Sequence, residues 1–99
     1  PVVIAVSVSR NEDPTIDLED YGAACCAIQN LTLAAWSKNI VSKWRTGNMC
    51  NYPATKEYLN LGPEDRIVGL IYLGYPAKNA VAEGRQRSWE CIRWVGWGK

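Results

Sequence analysis

Trp44, Arg45, Thr46 and Gly47 place an indole, a guanidinium, a hydroxyl and a glycine on consecutive residues. Together they could hold a flat, anionic ligand. The ring stacks, the charge and hydroxyl meet acceptor oxygens, and the glycine lets backbone approach closely. The same residues also make an ordinary strand-to-helix connection, and the motif alone does not choose between the two. A second pair, Arg85 and Arg87, flanks Gln86. In an extended chain both guanidiniums project to one side and can grip one phosphate. As a solvated basic pair they need bind nothing.

What is missing narrows the chemistry further. The chain has no His, which removes the commonest general base and the Ser-His-Asp and Cys-His arrangements with it. There is no P-loop, no G-x-G-x-x-G and no H-E-x-x-H. Asp17, Glu19 and Asp20 cluster where a helix begins, the usual use of carboxylates against the helix dipole. No residue is therefore given a catalytic role, and an enzyme so built leaves the chemistry to a cofactor. Cys25 and Cys26 are adjacent, Cys50 and Cys91 stand alone, and no C-x-x-C occurs. A mixed zinc site is excluded without His, so no metal is expected. The cysteines read as reduced, mostly buried thiols of a cytoplasmic protein, with two disulfides as the alternative. Eleven Lys and Arg balance ten Asp and Glu for a net charge of +1. That creates no field to draw nucleic acid or a membrane surface.

The elements that must position these groups follow from patterning. Ninety-nine residues make a single domain, 1–99. No basic segment precedes the apolar start, so no signal peptide is expected. Pro1 in place of an initiator Met implies a processed chain or a piece of a longer one. Residues 1–9 are β-branched and continuously apolar, which predicts a strand covered on both faces. A polar turn at residues 10–14 follows. A long helix is then expected from an N-cap at Asp17 to about Lys38, closed by Asn39 in the left-handed conformation. Gly22, Ala23, Ala24, Cys25, Cys26 and Ala27 are small, whereas Ile28, Leu31, Leu33 and Trp36 are large. A helix apolar on most sides is a buried one, either within the domain or at a subunit interface. Residues 40–44 read as a short strand, 48–52 as a loop and 53–59 as a helix opened by Pro53. Residues 66–75 read as a second, central strand, with Gly69 and Gly74 marking a close approach or a bulge. Residues 76–84 form a linker. Residues 85–99 form an extended, Trp-rich arm whose natural host is a second subunit.

Taken in order, these segments resemble the C-terminal half of the FMN-dependent nitroreductase family. Residues 27–35, Ala-Ile-Gln-Asn-Leu-Thr-Leu-Ala-Ala, match a small-rich helix with an A-x-Q-N-L-x-L-A-A run. Ser42 to Gly47 match a turn of the S-x-W-R-T-G kind, and Lys56 to Leu61 with Asp65 to Pro76 match the segment that follows it. The basic R-R-S-x-R-x-[FY] opening of such proteins has no counterpart here. The resemblance implies an α+β fold: a mixed sheet with a long interface helix and an extended C-terminal arm, in an intertwined homodimer. It also implies FMN in the interface, with Trp44, Arg45, Thr46 and Gly47 touching the flavin and Arg85 and Arg87 holding its phosphate. The reaction implied is hydride transfer from NAD(P)H through FMN to a nitroaromatic, quinone or similar acceptor. Two other readings stand beside it. One is a non-catalytic dimerisation module that has lost flavin binding. The other is a single-strand nucleic-acid binder using Arg85, Arg87 and the tail tryptophans, which the near-neutral charge disfavours.

Overall fold

The computed structural model describes residues 1–78, 84–85 and 89–96. In chain order its elements are β1 (Val2–Val8), α1 (Pro14–Ser37), β2 (Val41–Arg45), a short 3₁₀ helix (Asn48–Asn51), α2 (Pro53–Tyr58), β3 (Arg66–Gly74) and a 3₁₀ turn (Trp89–Cys91). The strands form an antiparallel sheet in the order β1-β3-β2. The fold is thus α+β, as expected, and β3 is the central strand its unbroken apolar run predicts.

The sheet is sided, and a bulge sets the sides. Val6 pairs with Gly69 and Ser7 with Ile67, so Val68 has no partner on β1. Strict alternation would put Val68 on the same face as Leu70. The bulge instead turns Val68 towards Ile71, where both pack against Ile28 of α1. Ile67 and Leu70 face the opposite side and pack with Cys50, Leu59 and Leu61. One helix therefore covers one face, and the segment between β2 and β3 covers part of the other.

Several expectations need correction. α1 is capped by Asp13, not Asp17: the Asp13 carboxylate accepts the Thr15 amide at 2.9 Å, and Pro14 occupies the first helical position. Proline's fixed φ suits the first turn, where no amide donor is needed, so the helix starts four residues early. The helix end is as expected. Asn39 sits at φ 60°, and the Asn39 and Ile40 amides donate to the Trp36 and Ala35 carbonyls at 3.0 and 2.9 Å. Asn60 ends α2 with the same motif at φ 57°. Residues 48–51 are helical rather than loop. β1 is an edge strand and is not covered on both faces: Val2 and Val3 are 57% and 56% exposed. Within this chain only Ile28 of α1 is fully buried, while Leu18, Leu33 and Trp36 lie open. The thiols are not mostly buried either: all four are free, Cys50 alone is buried, and Cys26 and Cys91 are exposed. At Trp89–Cys91 the arm turns instead of extending. Among the described residues no helix is long and apolar enough to cross a membrane.

Candidate functional site

β2 delivers the Trp44–Gly47 segment to the edge of the sheet. Trp44 pairs with Ile71 and Arg45 with Leu70, and there the ladder ends. The two side chains alternate across the sheet, as strand geometry requires. The Trp44 indole lies along β3, with its Nε1–H donating to the Val68 carbonyl at 3.2 Å. It occupies the space above Gly69, where a Cβ would fall 2.6 Å from Trp44 Cδ1. The close approach expected at Gly69 is therefore real, and its partner is the indole. The Arg45 guanidinium sits 5.9 Å from the centre of the Tyr72 ring, within cation–π range.

Beyond β2 the chain changes direction at Gly47, whose φ of 112° and ψ of −161° favour a residue without a side chain. A Cβ built there would meet nothing within 4 Å, so the backbone at Gly47 faces open space. The Gly47 carbonyl accepts the Cys50 amide at 3.0 Å, starting the 3₁₀ helix that anchors buried Cys50 against Ile67 and Leu70. Arg45 and Thr46 are exposed between these two fixed points. The arrangement offers a cation, a hydroxyl and bare backbone on three successive exposed residues, groups that suit an acceptor-rich ligand.

The second predicted group is only partly visible. Arg85 is exposed; Arg87 lies outside the described residues, so the pairing of the two guanidiniums does too. The expected carboxylate cluster does not act as a unit. Asp17 is engaged locally, at the start of α1: it accepts the Asn11 amide at 2.9 Å and meets Arg10 Nε at 3.2 Å and Arg66 Nη2 at 3.6 Å. The Asn11 hydrogen bond and the charges of Arg10 and Arg66 hold its carboxyl below the ordinary carboxylate range, against the opposing effect of partial burial. Arg66 also lies over the Tyr21 ring at 5.1 Å. This network ties β3 to the start of α1. Among the described residues no three acidic or sulfur side chains gather to hold a metal ion.

Tyr72 and the Val68 carbonyl are the participants that the sequence alone did not reveal. Both depend on the register between β2 and β3, strands separated by the whole of residues 46–65. No short hairpin turn fixes that register, so local spacing carries no signal for it.

Comparison with known proteins adds a consistent set of likenesses. A family model described as the nitroreductase family matches residues 1–75. The chain is 30% identical over 81 residues to YdjA of Escherichia coli K12, named as a candidate NAD(P)H nitroreductase. That match takes in 81% of this chain and 44% of YdjA. It is 29% identical over 76 residues to YfhC of Bacillus subtilis 168, named in the same way, covering 77% of this chain and 39% of YfhC. Among solved structures, a nitroreductase-like family protein from Bacillus cereus superimposes with a TM-score of 0.88 at 28% identity, covering 97% of this chain and 51% of that one. A nitroreductase with bound FMN from Bacteroides fragilis superimposes at 0.73 and 27% identity, with 96% and 51% covered. The chain spans about half the length of the proteins it matches.

Proposed function

The chain belongs to the nitroreductase family, and from that premise we propose that it is the C-terminal half of an FMN-dependent NAD(P)H oxidoreductase domain. In this reading residues 1–99 contribute one wall of a site that passes hydride from NAD(P)H via FMN to a nitroaromatic, quinone or similar acceptor. The FMN bound in the Bacteroides fragilis relative and the NAD(P)H nitroreductase names of the bacterial relatives support the cofactor and the reductant.

FMN, when bound, would supply the two-electron chemistry that no side chain of this protein can perform. The residues at the end of β2 fit such a group. Arg45 and Thr46 present a charge and a hydroxyl to its acceptor atoms, Gly47 admits it close to the backbone, and Trp44, held on the Val68 carbonyl, anchors the segment. Arg85 and Arg87 hold the phosphate. The observation that carries the reading is the display of exposed Arg45 and Thr46 beside an open Gly47, between a pinned indole and an anchored 3₁₀ helix.

The assembly is a homodimer in which the outer side of α1 is covered by a second copy. Gly22, where a Cβ would meet nothing within 4 Å, together with exposed Ala23, Cys26 and Leu33, supports close packing there. The four free thiols support a reducing cytoplasmic setting. A net charge of +1 supports a small-molecule partner over nucleic acid.

A visible spectrum of the purified protein tests this directly. A yellow protein that bleaches on addition of NAD(P)H is the expected outcome. Replacing Arg85 and Arg87 together by Ala weakens FMN binding by roughly 1.5–3 kcal/mol for each charge-assisted hydrogen bond removed; unchanged affinity counts against their assignment. The half-length match favours one competing reading, a dimerisation module without flavin. Such a protein would be colourless and dimeric, and added FMN would not raise its Tm.

A further inference from the structure

β2 stops at Arg45, yet β3 continues past the paired Leu70 down to Arg66. Just beyond the last rung, the Trp44 Nε1–H donates to the Val68 carbonyl at 3.2 Å. The indole thus acts as an extra rung, made by a side chain where the backbone has turned away. It can reach that carbonyl only because residue 69 has no Cβ: one built there falls 2.6 Å from Trp44 Cδ1 and 3.3 Å from Cε2, too close for the ring to stay. The bulge that leaves Val68 without a β1 partner lies at the same point of β3. At the other end of the segment the Cys50 amide holds the Gly47 carbonyl at 3.0 Å, and buried Cys50 cannot shift without disturbing Ile67 and Leu70.

We propose that Trp44 and Gly69 form a clamp, and that Trp44 is a positioning residue for Arg45, Thr46 and Gly47. Its ring N–H, seated over Gly69, sets the direction in which the wall leaves the sheet. This rests on the FMN-wall reading of the preceding subsection and names what holds that wall in place. The physical reason is pre-organisation. A guanidinium and a hydroxyl on a wandering loop must be ordered when ligand binds, and that entropy is subtracted from affinity. Held at both ends, residues 45–47 have little freedom to give up.

The test uses the full chain in its oligomeric state as purified, with Trp44→Phe, Gly69→Ala, Arg45→Ala, Trp44→Leu and the double variant Trp44→Leu/Gly69→Ala. Trp44→Phe keeps an aromatic ring and removes the donor; Gly69→Ala fills the seat of the indole. Amide exchange at residues 45–49 and FMN affinity by quenching of flavin fluorescence are the two readouts. Each clamp variant is expected to speed exchange at residues 45–49 about tenfold, the scale of one net hydrogen bond, while Leu70 and Ile71 keep their protection. FMN affinity is expected to fall by about tenfold in both, as it does when charged groups are misdirected. In the Trp44→Leu background, Gly69→Ala is expected to change neither readout further, because the indole it excludes is gone. A purely structural role for Gly69 predicts the reverse: the same loss in both backgrounds and loosening across β3. That result, or unchanged exchange at residues 45–49 in Trp44→Phe, overturns the clamp. Unchanged FMN affinity in Arg45→Ala overturns the flavin wall instead, and the exchange data still decide whether the segment is clamped.

Discussion

Asp17, expected to serve the start of the helix, serves structure through partners beyond it. Its oxygens accept the Asn11 amide and face Arg10 and Arg66, and these interactions depress its pKa in the folded chain. A depressed folded pKa means the unfolded chain binds its proton first as pH falls. The stabilisation is therefore fully present above the ordinary carboxylate pKa and is lost as pH drops through the folded value. Asp17→Asn is expected to lower Tm at neutral pH, with the gap to the parent chain closing on acidification. Thermal melts across pH check this, and a gap that persists at about pH 2 would show that charge is not the cause. The sequence showed the carboxylates at residues 17, 19 and 20 and their place near a helix start. It did not show Arg66 as a partner, because that ion pair joins residues 49 positions apart.

At the scale of elements, local rules worked where one residue type had one competent position. Asn39 closes α1 in the left-handed conformation and Pro53 opens α2, both for reasons internal to a few residues. They failed at the start of α1, where Asp13 and Asp17 are both able to cap. Pro14 was the deciding signal, since it is favoured at the first helical position and only the Asp13 choice puts it there. Ile28 is the residue through which α1 grips the sheet, fully buried against Val68 and Ile71. Ile28→Ala is expected to cost about 2–5 kcal/mol in denaturant unfolding, the range for emptying a packed core position. A cost well below this would mean that α1 takes its stability from its outer side instead.

The whole molecule does not cover itself. Its radius of gyration is 17.6 Å, against roughly 13 Å for a self-contained domain of this length. Val2, Val3, Leu18, Leu33 and Trp36 stand open on the sheet edge and the helix. Such open apolar surface is what the dimer proposed above would cover. In the dimer reading, Leu33→Glu is expected to shift the protein from dimer to monomer in sedimentation velocity at micromolar concentration, because a buried unpaired charge costs several kcal/mol. A dimer that survives the substitution would place the interface elsewhere.

Residue order alone determined the central place of β3 and the end of α1, which depend on patterns a few residues long. It also determined the family likeness, which rests on several such segments in order and carries the α+β class with it. Without His, it also pointed any catalysis towards a cofactor. Tertiary structure decided which pieces meet. It put the Trp44 indole over Gly69 and on the Val68 carbonyl, Tyr72 beside Arg45, and Asp17 between two arginines. It also left much of the long helix uncovered within this chain, against the first of the two burials its composition allowed, inside the domain or at a subunit interface. Composition records that a surface is apolar. Only the folded chain shows whether its own residues can reach that surface.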